Sequence, residues 1–214
     1  MFIPSTHESI RYTGRFAPLG DAMATTAAGS QIDFAFTGSV LLLEFDITDC
    51  VFPFPHVYVQ IDGSVKAETQ VDRWVRFEIP TDGEHTAKII YKGGKEILNR
   101  WYAPLQGKVS FLGYHADGAA ELAPDNRKTM ELVGDSITEG VLIDDYHYYK
   151  DTDQNNRIYE DDATATYAYL TADALGLRTL HMGYGAVGAT RSGCGAVPKA
   201  AEAYPYCFDG APVT

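Results

Sequence analysis

Over its first half the chain alternates. Ile32, Phe34 and Phe36 take every second position, as do Val57, Val59 and Ile61, and again Val75, Phe77 and Ile79. A period of two puts one set of side chains on one face of an extended strand, whereas a helix would need a period of about 3.6. Between the runs stand Gly38-Ser39, Asp62-Gly63, Asp82-Gly83, Gly93-Gly94 and Asp117-Gly118, dipeptides that supply the left-handed φ of tight turns. Short strands, each buried on one face and joined in this way, predict an antiparallel β-sandwich of jelly-roll type over residues 1–122.

Composition limits what such a chain binds. Hydrophobic residues make up 45% and charged residues 21% of the 214, enough for a packed core and against wholesale disorder. Lys and Arg number 17 against 29 Asp and Glu, a net charge of −12, which opposes a nucleic-acid backbone or an anionic membrane as partner. No stretch approaches the roughly 20 apolar residues of a spanning helix. The opening MFIPSTHESIRYTGRF lacks the cationic start and apolar run of a signal peptide, so the expected location is cytoplasmic, or secreted if a leader has been trimmed. Cys50, Cys194 and Cys207 have no metal-site spacing and read as free thiols, and no metal or cofactor is expected.

The pattern changes after Ala123-Pro124-Asp125-Asn126, which reads as a linker over 123–128. Met130-Glu131-Leu132-Val133 is a short run ended by Gly134, as in a buried parallel strand. Ala163 to Leu175 has helical spacing, with Gly176 placed to end it. Thr179-Leu180-His181-Met182 predicts a second buried strand, followed by the glycine-rich run Gly183 to Gly195. Strand, helix and strand make one right-handed crossover unit, so residues 129–214 predict the first part of a parallel-sheet α/β domain. The fold class is therefore β plus α/β.

The strongest chemical signal is Gly134-Asp135-Ser136-Ile137-Thr138-Glu139-Gly140. It places a serine at the C-terminal end of a parallel strand, where α/β sheets present reactive groups. Gly134 is expected to let the backbone turn sharply, so that the Ser136 amide and hydroxyl face one cleft. The chemistry that fits is a nucleophile donating its own N–H to an oxyanion. The competing reading is an ordinary strand-to-loop turn, since Gly, Asp and Ser are common turn residues.

The octapeptide Val133 to Gly140, VGDSITEG, resembles the first sequence block of the SGNH (GDSL-type) hydrolases. Together with the preceding β-rich half, the chain is similar to two-domain carbohydrate acetylesterases that have an N-terminal jelly roll. The resemblance implies that Ser136 is the nucleophile and that a glycine after the second strand lends its amide to the oxyanion hole. Gly188 in GYGAVGAT (183–190) matches that glycine, with Gly185 second. It also implies an oxyanion Asn and a late Asp-x-x-His, neither of which follows Gly188, and five parallel strands where this sequence has two. The chain is therefore expected to be the N-terminal piece of a longer protein, with the rest of the domain absent or supplied by a second chain.

Two Asp-x-x-His tetrads compete for the base. Asp82-Gly83-Glu84-His85 lies in a predicted hairpin upstream of Ser136, and Asp144-Asp145-Tyr146-His147 lies only a few residues after it. Neither fits the family's order, and His181, inside an apolar strand, reads as a core residue. Asp151 to Asp162 spaces oxygen ligands like a calcium loop, but Asn156 and Asp162 replace its glycine and bidentate glutamate. The preferred reading is an acidic loop whose Asp161 or Asp162 caps the next helix. Tyr146, His147, Tyr148 and Tyr149 suit either an aromatic wall for a sugar face or an anchor for the loop, and the first three are the candidate substrate-binding residues.

The function implied by the resemblance is a serine esterase removing O-acyl groups, O-acetyl first, from a mono- or oligosaccharide without metal or cofactor. Two alternatives stand: a lipid or acyl-thioester hydrolase built on the same block, and a non-catalytic carbohydrate-binding protein.

Overall fold

The computed structural model describes residues 1–143 and 160–213. Twelve strands come first: β1 (Phe2–Pro4), β2 (Arg11–Thr13), β3 (Ala17–Leu19), β4 (Ala22–Thr25), β5 (Gln31–Thr37), β6 (Val40–Phe45), β7 (His56–Ile61), β8 (Ser64–Gln70), β9 (Trp74–Glu78), β10 (Glu84–Gly93), β11 (Val109–His115) and β12 (Gly118–Ala120). They form two six-stranded antiparallel sheets. One runs β3-β4-β11-β6-β9 with β1 beside β11, and the other runs β12-β5-β10-β7-β8 with β2 beside β5. The alternating residues face inward as expected: Phe34, Phe36, Leu41, Leu43, Val57, Val59 and Phe111 are all fully buried, and Phe34 stacks on Tyr114 with ring centroids 4.1 Å apart.

Strand β5 departs from the expectation of one buried face. Gln31, Asp33 and Ala35, on its other side, are buried too. The second part of the chain lies against that side, where the Gln31 amide donates to the Tyr169 hydroxyl at 3.4 Å.

The second part contains β13 (Thr129–Gly134), a helical turn α1 (Ser136–Glu139), a 3-10 turn (Ala163–Ala165), helix α2 (Tyr167–Ala174) and β14 (Arg178–Gly183). It closes with the turn α3 (Ala200–Ala203) and the ribbon β15 (Tyr206–Phe208) and β16 (Ala211–Pro212). Strands β13 and β14 are parallel and in register from Thr129–Arg178 to Gly134–Gly183. The single helix expected over 163–175 is broken at Thr166, which takes an extended conformation and caps α2 by accepting from the Tyr169 N–H. A threonine hydroxyl satisfies a first-turn amide better than a helical interior satisfies that hydroxyl, so the cap overrides the apolar spacing. Gly176 ends α2 as expected, at φ +64°.

Strand β13 corrects a second expectation. It is not buried: its residues alternate between exposed and half-buried, and Val133 keeps 45% of its surface. Among the described residues β14 is its only strand partner, and a short apolar run is buried on both faces only when strands and helices flank it. β14 is well buried by contrast, because Met182 and Tyr184 beyond it pack with Ala27 and Trp101 of the sandwich.

Candidate active site

The end of β13 passes directly into the turn that carries Ser136. Asp135 is the N-cap, its Oδ1 accepting from the Ile137 N–H at 3.0 Å, and Ser136 is the first helical residue. An amide at that position has no acceptor within its own helix. Gly140 closes the turn at φ +91°, where a side chain would strike the Asp162 carbonyl. Gly134 is needed for a different reason from the one expected. Its φ is not left-handed, but a Cβ there would collide with the Thr138 side chain, whose hydroxyl meets the Tyr167 hydroxyl at 2.9 Å. The glycine thus serves close packing of strand on helix rather than a sharp bend.

Beneath the turn lies a buried ion pair. Glu139, the last residue of α1, is 3% exposed and Arg100, from the sandwich loop after β10, is fully buried. The guanidinium grips the carboxylate with both nitrogens, Nη1 to Oε1 and Nη2 to Oε2, the latter at 3.4 Å. Burial pushes the Glu139 carboxyl up, while Arg100 and the Gly185 N–H hold it down. The Arg100 guanidinium also lies over the Tyr184 ring, 5.3 Å from its centroid, and the Arg100 backbone N–H donates to the Gly195 carbonyl at 3.2 Å. One arginine of the sandwich therefore ties together the serine turn and both ends of the glycine-rich segment.

That segment follows β14 and is pressed onto α1. A side chain on Gly183 would collide with the backbone of Thr138 and Glu139. The Gly188 N–H donates to the Arg191 carbonyl at 3.3 Å, and the Gly188 carbonyl accepts from Ala200 at 3.1 Å. The space where a Gly188 side chain would stand is open. The Gly185 amide serves Glu139 and its carbonyl accepts from Cys194 at 2.7 Å, so Gly188 has the more open surroundings of the two glycines.

Among the described residues no side chain hydrogen-bonds the Ser136 hydroxyl. His85 belongs to the sandwich, with Nδ1 on the Asp62 carboxylate at 2.8 Å and Nε2 on the Thr81 carbonyl at 3.1 Å. The hydrogen bond to Asp62 raises its pKa, and the tetrad's own Asp82 is not its partner. His181 is a core residue as expected: its Nδ1 lies 3.3 Å from the Ala28 carbonyl, and burial pulls it down to about 4. Tyr146, His147 and Tyr148, with the Asp144 tetrad and positions 151–159 of the calcium-like stretch, lie outside the described residues. Of that stretch's end, Asp162 does cap the next turn, accepting from the Thr164 N–H at 2.8 Å, and Asp161 accepts from the Leu142 N–H at 2.7 Å. The three thiols form no disulfide, and burial pushes Cys207 up to about 11.

Arg100 was not indicated by the sequence, and Glu139 was visible there only as a member of the block. A lone arginine in Leu98-Asn99-Arg100-Trp101 looks like any loop cation.

No protein-family model matches the sequence, and no curated protein does. Solved structures do match in fold. A family two carbohydrate esterase from Cellvibrio japonicus superposes with a TM-score of 0.76 at 20% identity, covering 100% of this chain and 62% of its own. An acetyl xylan esterase from the rumen bacterium Butyrivibrio proteoclasticus gives 0.72 at 20% identity over 97% of this chain and 56% of its own. A family two carbohydrate esterase from Clostridium thermocellum, in complex with cellohexaose, gives 0.66 at 20% identity over 96% and 61%. The chain thus spans about three-fifths of the length of these structures, and over that span it shares their fold, a β-sandwich leading into a small parallel strand–helix–strand unit.

Proposed function

We propose that this chain is the nucleophile-bearing part of a serine esterase that removes O-acyl groups, O-acetyl first, from carbohydrate. The observation that carries the reading is the position of Ser136. It opens α1 at the C-terminal end of a parallel strand, with the glycine segment after the neighbouring strand packed on the same turn. Ser136 Oγ attacks the ester carbonyl, its proton passing to a histidine general base from the part of the domain beyond these residues. The Ser136 amide, the Gly188 amide released from the Arg191 carbonyl that it meets at 3.3 Å, and an Asn from the same further part donate to the oxyanion. The carbonyl–oxygen bond to the sugar breaks and the sugar hydroxyl leaves with the proton. Water, deprotonated by the same base, then releases acetate and restores the serine. Support for a carbohydrate ester comes from the neighbours named above, and support for a neutral sugar from the net charge of −12.

The test is acetate release from acetylated xylo-oligosaccharides by the intact protein, whose denatured mass is measured alongside. A mass above 23.5 kDa with turnover that falls at least about a thousandfold in Ser136→Ala is the expected result. A faster rate on long-chain than on short-chain nitrophenyl esters would move the reading to a lipid hydrolase.

A non-catalytic carbohydrate-binding role has one observation in its favour, the Ser136 hydroxyl without a hydrogen-bonded base among the described residues. A mass of 23.5 kDa, no acetate release, and oligosaccharide binding unchanged in Ser136→Ala would establish that role and overturn the esterase.

A further inference from the structure

A cleft lies at the end of the parallel pair away from Ser136. It has a volume of about 480 Å³ and opens between the outer face of the sandwich and the second part of the chain, within the roughly 300–1,000 Å³ of small-molecule sites. The register of β13 and β14 runs from Thr129–Arg178 at this cleft to Gly134–Gly183 below Ser136, about 16 Å at a strand rise of about 3.3 Å per residue. The cleft is therefore separate from the candidate active site.

Its floor follows from strand alternation. Val57, Val59 and Ile61 fill the sandwich core, so Tyr58 and Gln60 of β7 face outward, and Lys88 of β10 is the register partner of Gln60. The wall is Tyr169 and Asp173 of α2 with Arg178 at the start of β14. Lys88 is balanced by Asp33, 3.4 Å away, and Arg127, the third cation of the lining, by Asp125 at 2.7 Å. Arg178 reaches Thr129 Oγ1 at 2.9 Å with Nη2, while its buried Nε meets no acceptor among the described residues. Asp173 places a carboxylate in the same wall as that unmatched donor.

This lining has one chemical character. Ammonium, guanidinium and amide N–H groups stand beside carboxylate and amide oxygens, so donors and acceptors are both present and the charges are close to balanced. Two tyrosines add amphipathic rings. A polyhydroxylated neutral ligand matches such a surface, since every hydroxyl both donates and accepts and the C–H face of a pyranose packs on an aromatic ring. An anionic ligand matches it less well in a chain of net charge −12. We propose that this cleft binds a short segment of neutral linear oligosaccharide, one or two sugar units long, independently of the chemistry at Ser136.

The experiment is a titration of the intact protein with cellohexaose, xylohexaose and trigalacturonate, followed by calorimetry and amide NMR. Expected is binding of a neutral probe, with shifts at residues 58–60 and 169–179 that persist in Ser136→Ala. The exposed Asp173 and half-buried Gln60 permit a folded Gln60→Ala/Asp173→Ala variant, and affinity is expected to fall at least tenfold in it. Asp173→Asn, which keeps the shape, is the second variant, with a smaller loss. Tighter binding of trigalacturonate, shifts confined to 134–140 and 183–195, unchanged affinity in both variants, or no binding of a neutral probe at millimolar concentration would each overturn the proposal. Acetate release does not enter these outcomes, so failure here and failure of the esterase reading are told apart.

Discussion

The sandwich and the parallel pair are built from equally apolar strands, yet they end in opposite states. In the sandwich, Phe34, Val59 and Phe111 sit on strands flanked on both sides, and each is fully buried. In the parallel pair, Leu132 is half-buried and Val133 is 45% exposed. A strand's burial depends on how many neighbours and layers it has, and apolar content alone does not decide it. The sandwich supplies its own core, whereas the parallel pair borrows one. Trp101 and Ala27 cover Met182, Ala28 meets His181, and Arg15 donates to the carbonyls of Tyr204 and Tyr206. Arg100 supplies the most costly of these ties.

The largest effect is expected there. Arg100→Met leaves the Glu139 carboxylate buried without its cation, which costs about 3–5 kcal/mol, measured as a loss of stability in urea unfolding. Arg100→Met/Glu139→Leu removes both charges and is expected to recover most of the loss, because a buried pair replaced by apolar groups of similar size is often neutral. A double variant as unstable as the single one would show that the arginine acts through Tyr184 and Gly195 rather than through Glu139. Phe34→Ala tests the other side of the comparison. It opens a cavity beside Tyr114 in a core that needs nothing from the second part, at a cost of about 3–5 kcal/mol, and the amides of β13 and β14 are expected to keep their hydrogen-exchange pattern below the unfolding transition.

What the sequence showed and what it concealed follow the same division. Alternation at Phe34 and Val59 is local information, so the inward faces and their turns were legible. The placement of Ser136 directly after β13 was legible too, since strand and serine stand next to one another in the chain, whereas the Asp135 cap and the packing role of Gly134 were not. The exposure of Val133 was not, because a run of apolar residues does not report how many strands lie beside it. Nor was Arg100 legible, since its partner Glu139 is distant in sequence and the burial of a charge is decided by packing. At Thr166 two local signals conflicted, helical spacing and a capping hydroxyl, and the hydroxyl prevailed. The cleft of Tyr169 and Arg178 arises only where the two parts meet, so no single stretch of sequence contains it.

The seam between the regions also sets a pH dependence. Burial holds the His181 imidazole at about 4 in the folded chain against 6.5 for the free group, so the unfolded chain binds the extra proton between those values. Stability from this residue is complete above about pH 6.5 and is lost as pH falls through about 4, with a full difference on the order of 3 kcal/mol. His56, also lowered by burial, contributes in the same direction. Chemical denaturation of His181→Leu between pH 7 and pH 4 is expected to show a shallower acid loss than the parent. An identical slope would place the acid sensitivity in the sandwich, with His56, and not at the seam.

The smallest expected effect is also the most direct form of the comparison. Val133 and Met182 are register partners across β13 and β14, so backbone pairing is shared and only their surroundings differ. Met182 is 1% exposed under Trp101 and Ala27, and Met182→Ala is expected to cost about 2–5 kcal/mol. Val133→Thr keeps the β-branch that suits a strand and replaces a methyl already in water, so its effect is expected to stay within about 0.5 kcal/mol. Both are read by thermal or urea unfolding of the same preparation used for Arg100→Met. A cost at Val133 approaching that at Met182 would mean that β13 is covered in solution, by further chain or by a partner. That face would then belong to the core, and the half-open parallel pair would not be the state in solution.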